Sequence, residues 1–173
     1  MEKKKKVVIS KKEIQDKVKE LGKVLSKDYK DKNLLVVSLL KGSFIFTADL
    51  VREIDLPTKI SFMTTSSYGD KEESSGKVNI INDLNMDVED MDVLIVDDIM
   101  DSGLTMKVII DHIKSLNPAS VKSCVLLDKP ERRTVELKPD YAGFTIPDLF
   151  IVGYGLNYGE YYRNVPYIFS FED

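Results

Sequence analysis

The chain is poor in the residues that build disulfides and metal clusters, since its 173 residues include one cysteine, one histidine and no tryptophan. A single cysteine excludes an internal disulfide and is typical of a reducing compartment. The same counts exclude a zinc site made of cysteine and histidine ligands. Cys124 lies in the apolar run Val121–Leu127, which predicts a buried strand thiol rather than a nucleophile. His112 has apolar neighbours at helical spacing, so we expect it to pack on a helix or at its edge.

Long apolar runs are also missing. No segment approaches the roughly 20 apolar residues that a membrane-spanning helix needs, and the amino-terminal residues form no apolar signal core. The net charge of −4 argues against bulk attraction to nucleic acid or to an anionic membrane. The basic run Lys3–Lys6 is predicted to be a solvated tail. We therefore expect a cytoplasmic protein that binds neither nucleic acid nor a membrane. We also expect a single domain over residues 1–173.

Strand-like and helix-like patterns alternate through the middle of the chain. The predicted helices are one that follows a capping box of Ser10 and Glu13, then Phe44–Ile54 with Ser43 as a possible cap, and then Ser102–Leu116. The predicted strands are Leu34–Leu40, Lys59–Thr65, Lys77–Ile81, Val93–Val96, Ser120–Leu127, Asp140–Thr145, Leu149–Val152 and Tyr167–Phe171. The polar segment Ser66–Gly76 is predicted to be a loop. This alternation predicts an α/β fold with a mainly parallel sheet flanked by helices, and such sheets bind ligands at the carboxyl ends of their strands.

One stretch, VLIVDDIMDSGLTM at residues 93–106, follows an apolar strand with two acids and then a glycine-containing loop. The backbone amides and hydroxyls of Asp101–Thr105 are suited to hold a phosphate at the amino terminus of a helix. Asp97 and Asp98 repel phosphate, but carboxylates accept hydrogen bonds from sugar hydroxyls and bind Mg²⁺. A ribose phosphate satisfies both halves of the motif.

Two acids at a strand end have other interpretations. They occur in a plain turn with a helix cap, in the Walker-B strand of an NTPase and in the phospho-receiver domain of a signalling protein. No G-x-x-x-x-G-K-[ST] segment is present, which argues against the NTPase. In a receiver domain the acidic strand is the first, and too few residues follow Asp98 for four further strand–helix units. The plain turn stays open for the acids alone, whereas the whole stretch is far more specific.

The whole stretch resembles the phosphoribosyl-pyrophosphate binding motif of type I phosphoribosyltransferases. The segments LLKGSFIFTADLVREI, SSYG, LLDKPERR and PDYAGFTIPDLFIVGYGLNYGEYYRNVPYI resemble the other segments of bacterial hypoxanthine (hypoxanthine-guanine) phosphoribosyltransferases. The resemblance implies the type I phosphoribosyltransferase fold, with a flexible hood loop and a small carboxyl-terminal base-binding hood. It also implies transfer of ribose-5-phosphate from phosphoribosyl pyrophosphate to N9 of hypoxanthine or guanine. The products are a nucleoside monophosphate and pyrophosphate, and the implied assembly is a homodimer or homotetramer.

On the ribose-phosphate side, the resemblance gives Asp97 and Asp98 the ribose hydroxyls, directly or through Mg²⁺. The implied 5′-phosphate site is the loop of Ser102, Gly103, Leu104 and Thr105. Lys41 and Gly42 offer backbone N–H groups to pyrophosphate, and Arg163 adds positive charge to the same group. The resemblance also implies a cis peptide bond between Leu40 and Lys41.

On the purine side, the resemblance gives Lys129 the purine O6, which selects 6-oxopurines over 6-aminopurines. Phe150 stacks on the ring, and the Ile151 carbonyl faces the edge of the base. Ser67 and Tyr68 belong to the hood loop, which we expect to be mobile without ligand. Taken one at a time, these residues have plainer interpretations, because Lys129 suits a surface position and Phe150 suits the core.

Two positions add chemical detail to the resemblance. Asp101 lies between the ribose acids and the implied phosphate-binding residues Ser102–Thr105, so we expect its carboxylate to approach the purine N7 and exchange a proton with the base. Asn157 stands where the family usually has an aspartate that helps to hold Mg²⁺, often through water. Asparagine brings no negative charge, so we expect a weaker second metal site, while its backbone carbonyl can still face the base.

A rival interpretation is a transcriptional regulator with the same fold, which uses phosphoribosyl pyrophosphate only as an effector. The acidic charge of the chain and its full set of base-side residues argue against this alternative.

Overall fold

The chain forms a mixed α/β structure, and its computed structural model describes residues 3–67 and 77–172. The strands are β1 Lys5–Ile9, β2 Leu34–Leu40, β3 Lys59–Ser67, β4 Val78–Asn82, β5 Asp92–Met100, β6 Ser120–Asp128, β7 Tyr141–Thr145 and β8 Ile168–Phe171. The helices are α1 Lys11–Asp28, α2 Phe44–Val51 and α3 Leu104–Lys114, with a short 3-10 helix at Pro130–Arg132. No helix in the described ranges is both long enough and apolar enough to cross a membrane.

A six-stranded sheet in the order β4-β3-β2-β5-β6-β7 forms the centre of the structure. Neighbouring strands from β3 to β7 pair in parallel, whereas β4 pairs with β3 in the antiparallel sense. β1 and β8 form a separate antiparallel pair. The predicted α/β fold with a mainly parallel sheet is confirmed.

The core lies on both faces of this sheet. Successive residues of β2 alternate between the two faces, as the geometry of a strand requires. Leu34 and Val36 pack into the apolar cluster under α1 and α2, whereas Leu35 and Val37 pack into the cluster under α3. Cys124 of β6 is fully buried, which raises the pKa of its thiol to about 12, so the predicted inert strand thiol is confirmed.

Helix α1 begins as its sequence predicts. The Ser10 hydroxyl accepts the backbone N–H of Glu13 at 3.1 Å, and the Glu13 carboxylate accepts the Ser10 N–H at 3.1 Å. This capping box satisfies two amides that have no partner within the helix. The helix therefore starts directly after β1.

Ser43 lies at the N-cap position of α2, as predicted, but its side chain does not cap the helix. The Ser43 hydroxyl donates to the Leu39 carbonyl at 2.5 Å and bonds the Ser38 hydroxyl at 2.8 Å, so it ties the helix start to β2 instead of capping it. The helix also ends at Val51 rather than Ile54. The last residues of the predicted helix bond three residues back, which tightens the chain into a final turn.

Strand β5 is longer than predicted, and this places the acids differently. Asp97 and Asp98 lie within the strand, which continues to Met100, instead of following it. The strand continues because β6 keeps pairing with it, with Asp97 opposite Val125 and Met100 opposite Asp128. Pairing with β4 likewise extends β3 from the predicted Thr65 to Ser67, so the first two residues of the predicted loop are strand.

Two further predictions are wrong. Lys5 and Lys6 are not part of a solvated tail, because both belong to β1 and pair with β8. The Lys5 ammonium lies 5.0 Å from the centre of the Tyr162 ring, a cation–π distance. The segment 149–152 forms no regular strand, and within it Val152 makes only an isolated bridge to Phe169.

Candidate active site

The carboxyl ends of β2, β5 and β6 meet at one edge of the sheet, because the three strands are parallel neighbours. The chemically rich residues of the sequence follow or end these strands. The peptide bond between Leu40 and Lys41, at the end of β2, is cis, so that prediction is confirmed. We call this edge the rim.

Asp97 and Asp98 lie side by side near the end of β5. The Asp97 carboxylate accepts the Asp98 N–H at 2.9 Å, and the Asp98 carboxylate accepts the Ile99 N–H at 2.8 Å. The pKa of Asp97 is raised well above its ordinary value, mainly by burial and to a smaller extent by the charge of Asp98. Burial also raises the pKa of Asp98, while the charge of Arg163 acts in the opposite direction. A cation or sugar hydroxyl donors would relieve this repulsion, so the pair fits Mg²⁺.

The segment Asp101–Thr105, the phosphate loop, leads from the end of β5 into the first turn of α3. Gly103 is the residue before α3 and has the left-handed φ of 86°. Because this conformation is not helical, the helix begins at Leu104 rather than at the predicted Ser102. Gly103 has no side chain to cap the first turn, and the Ser102 hydroxyl accepts the Leu104 N–H at 3.2 Å. The amino terminus of α3 therefore presents amides to an anion.

A second glycine brings the carboxyl-terminal part of the chain to the rim. Gly155 has a φ of 99°, and a Cβ at this position would collide with the Gly42 carbonyl. Its carbonyl accepts the Arg163 guanidinium at 2.7 Å, and its N–H donates to the Arg163 carbonyl at 2.8 Å. Gly42 in turn leaves no room for a Cβ beside the Asp98 carboxylate. The residues predicted to bind pyrophosphate are thus next to the acids.

Lys129 follows the end of β6 and is only 7% exposed. Its ammonium lies 3.7 Å from the Asp101 carboxylate, which is half exposed. The backbone N–H of Lys129 donates to the Met100 carbonyl at 3.0 Å. A buried lysine needs a partner for its charge, so the plain interpretation as a surface lysine is wrong.

Phe150 and Ile151 differ sharply in exposure. Phe150 is 59% exposed, and its ring meets the Tyr158 ring edge-on at 5.9 Å, so the interpretation as a core residue is wrong. Ile151 is 5% exposed, which fixes the backbone beside Phe150. An exposed, oriented ring next to a fixed backbone suits stacking on a planar ligand.

Two predicted site residues lie apart from these contacts. The exposed Asn157 donates from its side-chain nitrogen to the Gly159 carbonyl at 2.7 Å, so its side-chain oxygen is the atom that could accept a further hydrogen bond. Ser67 is the last residue of β3, and its backbone pairs with Val78. Tyr68 and the rest of the predicted hood loop lie outside the described residues. Within the described ranges, no group of three or more metal-ligating side chains occurs.

Sequence reasoning assigned no role to Arg133, which the structure places against the phosphate loop. Its guanidinium donates to the Asp101 carbonyl at 3.1 Å and contacts the Asp128 carboxylate. The sequence contains one signal for this role, which is a second arginine shortly after Lys129, in the segment that follows a buried strand.

Comparison with known proteins decides the family. A family model described as the phosphoribosyl transferase domain matches residues 10–159. The chain belongs to the phosphoribosyltransferase family. The motif resemblance and the positions of the acids on the rim agree with this membership.

Curated phosphoribosyltransferases are similar over most of the chain. The hypoxanthine-guanine phosphoribosyltransferase of Aquifex aeolicus is 49% identical over 99% of this chain and 97% of its own length. The enzyme of the same name from Bacillus subtilis is 49% identical over 94% of this chain and 91% of its own length. A crystal structure of a hypoxanthine phosphoribosyltransferase from Staphylococcus aureus superposes with a TM-score of 0.93 at 46% identity. The superposition covers 96% of this chain and 91% of that one.

Proposed function

We propose that this phosphoribosyltransferase acts in purine salvage and transfers ribose-5-phosphate from phosphoribosyl pyrophosphate to N9 of hypoxanthine or guanine. The products are the nucleoside monophosphate and pyrophosphate. One observation carries the proposal: the buried Lys129 ammonium lies beside Asp101, on the same rim as Asp97 and Asp98. A single nucleotide then meets all of these groups, with its sugar at one end and its purine at the other.

The donor is held by groups of opposite character. The amides of the phosphate loop bind the 5′-phosphate, while Asp97 and Asp98 accept hydrogen bonds from the ribose hydroxyls. The N–H groups of Lys41 and Gly42 face pyrophosphate, and the Arg163 guanidinium adds charge at the same place. These contacts orient the ribose C1 toward the base. The reacting atoms are then held close together and aligned, which lowers the barrier to transfer.

The base is recognised by its oxygen. Lys129 donates to O6 of a 6-oxopurine, whereas the amino group of adenine would leave the buried ammonium without an acceptor. The Phe150 ring covers one face of the purine, and the Ile151 carbonyl accepts from the edge of the ring. We propose that Ser67 and Tyr68 contribute to a hood that excludes water while C1 carries oxocarbenium character.

Asp101 moves the proton. Its carboxylate lies next to the Lys129 ammonium, which holds it at the base side of the phosphate loop. In this position it exchanges a proton with N7 as the bond from N9 to C1 forms. In its ionised form the carboxylate accepts the N7 proton of the base.

We propose Mg²⁺ as the cofactor, held by Asp97 and Asp98, with a weaker contribution from Asn157 through water. When bound, the ion neutralises charge on the departing pyrophosphate. The proposal also places the protein in the cytoplasm, in keeping with its one buried thiol. We also propose that the protein assembles as a homodimer or homotetramer. The exposed apolar side chains of Ile60 and Phe62 on β3 support this, because such side chains are often buried against another subunit.

The test is conversion of radiolabelled hypoxanthine by the purified protein with phosphoribosyl pyrophosphate and Mg²⁺, with guanine, xanthine and adenine run in parallel. We expect nucleotide from hypoxanthine or guanine and none from adenine. Binding of phosphoribosyl pyrophosphate without turnover of any base would favour the regulator instead.

A further inference from the structure

Arg133 joins three separate parts of the chain around the phosphate loop. Its Nε donates to the Asp101 carbonyl at 3.1 Å, and its Nη1 donates to the Leu137 carbonyl at 2.6 Å. Its Nη2 contacts the Asp128 carboxylate at the end of β6. One guanidinium therefore links the strand before Lys129, the backbone of the phosphate loop, and the segment that follows the 3-10 helix.

These contacts are shielded from water. The side chains of Arg133 and Asp128 are 12% and 14% exposed, so the ion pair is screened much less than a surface pair. Gly103 packs directly on the arginine, since a Cβ at this position would lie 3.0 Å from the Arg133 Cδ. The arginine stem thus forms the floor beneath the left-handed turn of the phosphate loop.

The neighbouring backbone strengthens the same attachment. The Thr134 N–H donates to the Ser102 carbonyl at 3.0 Å, next to the bond from Arg133 to the Asp101 carbonyl. Two successive carbonyls of the phosphate loop are therefore held by two successive residues of the segment after Lys129. A shift of this segment would move the phosphate loop and Asp101 together.

We propose that Arg133 is a positioning residue that sets Asp101 and the phosphate loop relative to Lys129, and so couples phosphate binding to base recognition. It acts through Asp101 and the loop rather than by touching substrate. The inference rests on the proposed function. Lysine cannot replace it, because a single ammonium lacks the planar fork that reaches two carbonyls and a carboxylate at once.

The test compares Arg133→Lys with the wild type and with Arg52→Lys, in saturating Mg²⁺. Arg52 is a matched control, because it also bonds a backbone carbonyl and an aspartate, Ala48 and Asp49, but on the surface of α2. Misplacing a reacting group by about 1 Å can cost a hundredfold in rate, so we expect Arg133→Lys to lower kcat about ten- to a hundredfold and Arg52→Lys to change it less than about twofold. The KM for phosphoribosyl pyrophosphate should rise with Arg133→Lys alone.

A double-mutant comparison separates positioning from general damage. If Arg133 acts on kcat by placing the Asp101 carboxylate, adding Arg133→Lys to Asp101→Asn should lower kcat by less than about threefold. The rise in KM should persist, because the loop is still displaced. Equal losses of kcat in both backgrounds, with unchanged circular dichroism and Tm, would overturn the proposal.

Calorimetric titration of nucleoside monophosphate gives a readout that does not need turnover. We expect Arg133→Lys to weaken this binding about tenfold and Arg52→Lys to leave it unchanged. A wild type that binds nucleotide but converts no purine would contradict the proposed function, while the calorimetric difference between the two variants would still decide the role of Arg133. Equal affinity of both variants and wild type would overturn that role.

Discussion

The phosphate loop and the purine-side segment, residues 150–163, lie at the same rim but are held in different ways. The phosphate loop joins the end of β5 directly to the start of α3. The purine-side segment contains no regular strand or helix and makes isolated bridges instead. Its turns are held by bonds outside any regular element, such as that from the Tyr154 N–H to the Val165 carbonyl at 2.8 Å, and by the close approach of Gly155 to Gly42. We therefore expect substitutions in the phosphate loop to change activity alone and substitutions in the purine-side segment to change stability as well.

The largest effect is expected at Asp101, in the phosphate loop. Replacing it with asparagine removes the proposed proton acceptor but keeps the size of the side chain, so kcat should fall roughly ten- to a thousandfold. Because Asp101 is half exposed, and because the asparagine oxygen can still accept a hydrogen bond from the Lys129 ammonium, Tm should change little. Steady-state kinetics and thermal unfolding measure the two quantities, with Asp111→Asn on the exposed face of α3 as the control. Comparable kcat in mutant and wild type would remove Asp101 from the mechanism.

A smaller effect is expected from Lys129→Gln, which removes the charge that we propose contacts O6. A hydrogen bond to a charged group contributes about 1.5–3 kcal/mol, so kcat/KM for hypoxanthine should fall about ten- to a hundredfold. Discrimination against adenine should fall with it. The exposed Lys138→Gln is the control. If Lys129→Gln discriminates against adenine as strongly as the wild type, another group reads O6.

The comparison predicts a loss of stability for Gly155→Ala, in the purine-side segment. The left-handed backbone costs an alanine about 1–2 kcal/mol, and the collision with the Gly42 carbonyl adds to this cost. Gly159 is also left-handed, with a φ of 62°, but a Cβ there would meet no atom of the described residues within 4 Å beyond its chain neighbours. Urea unfolding should therefore show a larger loss of stability for Gly155→Ala than for Gly159→Ala. Equal losses would mean that the close approach to Gly42 contributes nothing.

The smallest effect is expected from Asn157→Asp, which places a carboxylate where we propose that the asparagine oxygen accepts from a metal-bound water. Mg²⁺ favours carboxylate ligands, so activity should saturate at a Mg²⁺ concentration a few times lower than in the wild type. A Mg²⁺ titration of activity in both proteins measures the difference. Coincident curves would show that Asn157 does not limit the metal site.

The difference between the two regions also explains what the sequence could predict. The order of strands and helices from β2 to β6 follows from local apolar patterns, and the phosphate loop could be recognised because its chemistry lies in one continuous stretch. The end of β5 could not be predicted from the sequence, because the strand continues past Val96 through pairing with β6.

The purine side was assigned from resemblance, since its residues are brought together by remote contacts. No local pattern predicts that Gly155 packs on Gly42 or that Lys129 is buried next to Asp101. Lys5 gave a misleading signal for the same reason. A run of lysines reads as a solvated tail unless the aromatic rings that it meets, far along the chain, are known.

The most direct test of the account is a crystal structure of the protein with inosine monophosphate. We expect the 5′-phosphate on the amides of the phosphate loop, the ribose hydroxyls at Asp97 and Asp98, and O6 within hydrogen-bonding distance of the Lys129 ammonium. A nucleotide bound with its purine away from Lys129, or with its phosphate outside the phosphate loop, would contradict it.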